Sequence, residues 1–91
     1  MKLRGEFAVR EVADRVIAVP VGKWAVEFQS MILLNRVSRL IWDCLAEDTA
    51  ISAIVHALTE RFEVSEAQAL ADTEEFLENL RKAGLLEESD Q

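Results

Sequence analysis

Apolar and β-branched residues crowd the front of the chain, and helical periodicity takes over at its middle. Arg15-Val16-Ile17-Ala18-Val19-Pro20-Val21 is apolar on nearly every position, as expected of a strand buried on much of its length. Pro20 lacks an N–H, so it belongs at that strand's end or on an edge. After a turn at Gly22-Lys23, the alternation of Trp24, Val26 and Phe28 predicts a second strand over 24–28. Gln29-Ser30 then reads as a tight turn into a short third strand, Met31-Ile32-Leu33-Leu34, and Phe7-Ala8-Val9 as an extended N-terminal arm. Three helices follow. Asn35 is placed to cap the first, with its stripe at Val37, Leu40, Ile41, Cys44 and Leu45. Asp48 or Thr49 is placed to cap the second, whose stripe is Ile51, Ile54, Val55, Leu58 and Phe62. Ser65 and Gln68 form a capping-box pattern ahead of a third stripe at Leu70, Thr73, Phe76, Leu77 and Leu80, and Gly84 stands where a terminating glycine belongs. The expected fold is α+β and winged-helix-like: a three-stranded antiparallel sheet followed by three helices, βββααα. It forms one domain over 1–91, with a β-rich part at 7–34, a three-helix part at 35–86 and a polar tail at 87–91.

Composition narrows the function classes. Ninety-one residues suffice for one small domain, and 51% hydrophobic with 30% charged residues argues for a packed core rather than disorder. No apolar run is long enough to span a bilayer, and no apolar region follows Lys2 and Arg4 to make a secretory signal. With one cysteine and no intramolecular bridge available, the expectation is a cytoplasmic protein. The net charge of −7 arises entirely beyond His56, where ten carboxylates face only Arg61, Arg81 and Lys82. A winged helix reading DNA with its last helix would present Glu66, Asp72, Glu74, Glu75 and Glu78 to phosphates, so nucleic acid is not the expected partner, nor is a membrane.

Catalytic chemistry is equally thin. Cys44 lies on an apolar stripe and behaves as a small hydrophobe, while His56 falls off the Ile54/Val55 stripe and reads as a surface or boundary residue. Glu74, Glu75 and Glu78 read as a solvated helix face rather than a metal or acid–base pair. The expectation is no catalytic residue, no metal and no cofactor. What remains is a surface. Three strands cannot close a barrel, and Met31 to Leu34 as an edge would template an added strand. Its four consecutive apolar residues point to both faces, so either the helices cover all of them or something else covers half. An exposed edge also serves pairing or domain swapping, which leaves the oligomeric state open.

The hairpin Val16 to Gly22, the Leu34-Asn35 step, Leu40-Ile41-Trp42, Ile51-Ser52-Ala53-Ile54-Val55 and Leu58-Thr59-Glu60-Arg61-Phe62 together resemble the PqqD-like proteins. Asp72-Thr73-Glu74-Glu75-Phe76-Leu77 and Leu80-Arg81-Lys82-Ala83-Gly84-Leu85-Leu86 extend the likeness to about 7–87. That family comprises leader-peptide-binding domains, or RiPP recognition elements, of pathways that modify ribosomally made peptides. The resemblance implies a non-catalytic adaptor that takes the leader of a precursor as an antiparallel strand on its third strand, beside its third helix. It delivers the precursor to a modifying enzyme, a radical SAM protein in the founding pathway for pyrroloquinoline quinone. Carried onto this chain, the peptide-binding residues would be Met31, Ile32, Leu33 and Leu34, with a helix flank of Ala67, Leu70, Ala71, Glu74 and Glu78. Small Ala67 and Ala71 would leave room for peptide side chains, and Glu74 and Glu78 could meet a basic leader residue. Many relatives follow the Leu-Asn step with Thr-Gly or Thr-Ala where this chain has Val37-Ser38, a change expected to alter packing more than ligand choice. The other function classes are a DNA regulator and a scaffold that binds only a partner enzyme.

Overall fold

The computed structural model describes residues 1–27 and 31–88, with Glu27 by its backbone alone. Its elements are β1 (Lys2–Leu3), β2 (Phe7–Val12), β3 (Arg15–Pro20), α1 (Trp24–Glu27), β4 (Ile32–Leu34), α2 (Arg36–Cys44), α3 (Ile51–Arg61), α4 (Glu66–Lys82) and β5 (Leu86–Glu87). The main sheet is antiparallel in the order β2-β3-β4, and β1 pairs with β5 in a separate two-stranded ribbon. A three-stranded antiparallel sheet followed by three long helices is the arrangement the sequence predicts, but a different segment supplies one strand. The N-terminal arm is a full strand, closing a hairpin on β3 in which Phe7 opposes Pro20 and Val12 opposes Arg15.

The predicted strand over 24–28 is not formed. β2 and β4 take the two edges of β3, so no edge remains for it. Instead the chain turns at Gly22 and winds into α1, with Trp24, Ala25 and Val26 donating to the carbonyls three residues earlier at 3.1–3.3 Å. Val26 is 77% exposed, so the alternation marks no buried face. Phe28 and the proposed Gln29-Ser30 turn lie outside the described residues. Trp24 packs against Gly5, where a Cβ would meet its ring at 3.1 Å and where φ is +100°, so both space and backbone require glycine.

Register settles which face is core. Val16 opposes Leu34 and Ala18 opposes Ile32, and these positions, with Phe7 and Val9, turn toward the helices. Ala18 is fully buried at the sheet centre, and beyond it Phe7 and Trp42 meet edge to face at 5.3 Å. Ile41, Leu45, Ile54, Leu58, Leu77 and Leu80 complete the core from the helices. Two of the predicted helix signals hold in detail. Ser65 Oγ accepts from the Gln68 N–H at 3.1 Å, although the Gln68 side chain reaches forward to Asp72 instead of back. Gly84, at φ +77°, ends α4 in a Schellman motif, with Gly84 N–H donating to Arg81 and Leu85 N–H to Leu80. Leu70 leaves the predicted stripe, being 40% exposed, and fully buried Ala69 takes its place.

The cap predicted for the second helix is also different. Ala50 is the N-cap of α3 and gives no side-chain bond. Asp48 instead accepts from the Met1 amine at 2.5 Å, and the Thr49 carbonyl accepts from the same amine at 2.8 Å. Both residues serve the tie between the N-terminal segment and the helical part. That amine holds the Asp48 carboxyl below the usual carboxylate range.

Candidate peptide-binding edge

β4 is three residues long, pairs with β3 on one side and has no strand on the other among the described residues. Its outer row of backbone donors and acceptors therefore has the geometry for accepting another strand. Ile32 and Leu34 face the core, whereas Met31 and Leu33 are 64% and 60% exposed. The helices thus do not cover all four apolar residues. Met31 stands just before the strand rather than within it.

Asn35 fixes the handover from β4 into α2. Its Oδ1 accepts from the Ser38 N–H at 2.8 Å, and its own N–H donates to Ser38 Oγ at 2.8 Å, a reciprocal capping box. Ser38 thereby secures the first turn of α2 beneath the edge. Two clefts meet at Leu33 and Asn35. One, of about 330 Å³, runs between the edge and α4, which contributes Asp72, Glu75, Phe76 and Asn79 at the i, i+3, i+4, i+7 spacing of one helix face. The other, of about 480 Å³, opens toward the start of β3 and the outer side of α2, with Arg15, Arg36, Arg39 and one carboxylate, Asp14, around Val16 and Leu34.

The helix flank singled out in the sequence is elsewhere. Ala67, Leu70, Ala71, Glu74 and Glu78 are all exposed, and none lines either cleft. They lie on the far side of the buried Ala69–Thr73–Leu77–Leu80 stripe from Asp72 and Asn79. Glu78 is engaged there by Arg81 at 2.6 Å. The structure therefore brings Ile32, Leu33 and Leu34 to one edge with a different face of α4. Phe76 belongs to the predicted apolar stripe, whereas Asp72 and Asn79 carry no periodic signal beyond sitting beside it.

Cys44 is half-buried against the core, and burial, with Asp43 adjacent, pushes its thiol pKa up. His56 is exposed on α3. Among the described residues no group of His, Cys, Asp and Glu side chains could hold a metal ion, and no helix is long and apolar enough to cross a membrane.

Comparison with solved structures gives the same architecture. A chain described as TbiB1 in complex with the TbiA(beta) leader peptide matches at a TM-score of 0.75 with 23% identity, covering 100% of both chains. Another, described as lasso peptide synthetase B1 complexed with the leader peptide, matches at 0.68 with 21% identity over 92% of this chain and 93% of that one. At such identities the likeness is one of fold. A search of curated proteins finds no match. The profile of coenzyme PQQ synthesis protein D matches residues 16–86, which is most of the chain, and the protein therefore belongs to the PqqD family.

Proposed function

We propose that this protein is a non-catalytic adaptor that binds the leader of a ribosomally made precursor peptide as an added strand on β4 and presents it to a separate modifying enzyme. The observation that carries this reading is the unpaired β4 edge beside the α4 cleft, in a fold shared with two proteins solved as leader-peptide complexes. The backbone of Ile32, Leu33 and Leu34 would pair with the leader, and Leu33 with Met31 would cover its outward side chains. On the inner side a bound segment would pass Asp72, Glu75, Phe76 and Asn79. Main-chain pairing gives affinity with little demand on side chains, and the clefts give selectivity. Holding the leader raises the local concentration of the remaining peptide at the enzyme without any strong direct contact between the two. Such an adaptor needs no cofactor, and the acidic α4 disfavours a DNA-reading role.

The test is a ¹⁵N–¹H titration with the leader of a short precursor encoded beside this chain. Shifts concentrated at Met31 to Leu34 and at Asp72, Phe76 and Asn79 are expected. Shifts confined to the Ala67, Leu70, Ala71, Glu74 and Glu78 flank would move the site to the other side of α4. No shifts at several hundred micromolar peptide, with enzyme binding intact, would overturn the adaptor reading in favour of an enzyme-binding scaffold.

A further inference from the structure

Resting on that adaptor reading, we infer that the edge selects its peptide by the order of charges: a cationic residue over Asp72 and Glu75, and an acidic residue toward Arg15 and Arg36. The two clefts share Leu33 and Asn35, so one extended segment along β4 meets both. On the α4 side two carboxylates flank the Phe76 ring, and no ion pair engages either of them among the described residues. Asp72, itself partly buried, accepts from the neutral Gln68 amide at 2.8 Å, a bond that does not compensate its charge. On the other side Arg15, which shares its cleft with Asp14, has no ion-pair partner among the described residues, and Arg36 rests over the Phe62 ring at 5.6 Å, so cations outnumber the one carboxylate there. Arg39, by contrast, is committed to Asp43 at 3.2 Å. Opposite charges thus stand on either side of one short edge, and among the described residues no ion pair joins Asp72, Glu75, Arg15 or Arg36 to a charge of the other sign.

An added strand dries this edge, and drying decides the outcome. As water leaves, the effective dielectric falls and each unpaired charge becomes costly unless the peptide answers it. A neutral segment leaves Asp72 and Glu75 desolvated. A uniformly basic one satisfies them and meets Arg15 and Arg36. Only a segment with both signs in the right order satisfies both sides, with Phe76 beneath the cation's aliphatic stem. The surplus of carboxylates on α4 supplies long-range attraction of the same sign, so association should weaken as salt rises.

The probe is a displayed library of random dodecapeptides, selected on four forms: the wild type, Asp72→Lys/Glu75→Lys, Asn79→Trp to fill the cleft, and Glu60→Lys as a charge control on α3. Circular dichroism checks each fold. Wild-type selection should enrich sequences with a cation and an acid at fixed order and spacing. The double variant should lose or invert the cation preference and bind the best wild-type peptide roughly fivefold or more weakly, with Glu60→Lys within about twofold of wild type. Enriched peptides that Asn79→Trp rejects, but that show no charge order, would overturn the charge code and leave the adaptor reading standing. No cleft-dependent enrichment at all would overturn both.

Discussion

Removing the Asn35 side chain tests whether the edge is positioned by its helix cap. In Asn35→Ala the acceptor for the Ser38 N–H disappears, while the residue-35 N–H keeps its bond to Ser38 Oγ, so half of the capping box is lost. Loss of such a cap costs about 1 kcal/mol, within a range of roughly 0.5–2. For a chain of this size that is a fall in Tm of about 4–8 °C. Ser38→Ala removes the other half and leaves the Asn35 N–H without its acceptor, at a similar cost of about 1 kcal/mol. Because Ser38 Oγ also lies 3.1 Å from Asn35 Oδ1, the two side chains share contacts, and the double variant should lose less than the sum by about 0.5 kcal/mol. Asn35→Asp keeps an acceptor and adds negative charge at the start of α2, so it should stay within about 0.5 kcal/mol of wild type. Urea unfolding followed by fluorescence of Trp42 and Trp24 measures all four. An alanine variant within about 0.3 kcal/mol of wild type, or an aspartate as costly as alanine, would refute the reasoning.

Three further outcomes follow from single positions. Ala13 holds φ +57° in the two-residue turn between Val12 and Arg15, so Ala13→Gly should relieve left-handed strain and raise stability by about 0.5 kcal/mol in thermal melts; a fall would contradict it. Thr73 is fully buried and its hydroxyl has no hydrogen-bond partner among the described residues, so Thr73→Val should stabilise by about 1 kcal/mol in urea titrations. Burial and the neighbouring Asp43 raise the Cys44 pKa, so at pH 7 the folded protein should react with iodoacetamide more slowly than the urea-unfolded chain; equal rates would show the thiol to be open.

The helices were legible because each carries its signals locally. Asn35, Ser65 and Gly84 act within one turn of where they stand in sequence, and the stripes of α2 and α3 need only a 3.6-residue period. The sheet is a matter of competition between distant segments. Trp24 and Val26 alternate as a strand would, but β2 claims the edge of β3 they would need. Arg10 and Glu11 disguised β2, because the outer half of that strand faces solvent. Ribbon β1–β5 joins two-residue segments from opposite ends of the chain, too short for any period to show. At the candidate site β4 was readable from its apolar run, whereas the side of α4 was not. Periodicity finds the buried stripe, but its two flanks are equivalent until the handedness of packing places one of them beside β4. Small residues at Ala67 and Ala71 favoured one flank, whereas the cleft beside Leu33 is lined by the other, Phe76 included.

The β1–β5 ribbon has a consequence for how the domain can be wired into larger assemblies. Lys2 stands opposite Glu87 and Leu3 opposite Leu86, with Arg4 N–H donating to the Leu85 carbonyl at 2.7 Å. Residues 2 and 87 are therefore one strand spacing apart, about 5 Å. A unit closed in this way behaves as a cassette: spliced into a surface loop of a host enzyme it would demand almost no separation of the loop's ends. A circular permutant joined across residues 1 and 88 by a few glycines, and reopened elsewhere on the surface, should likewise keep the β4 edge intact.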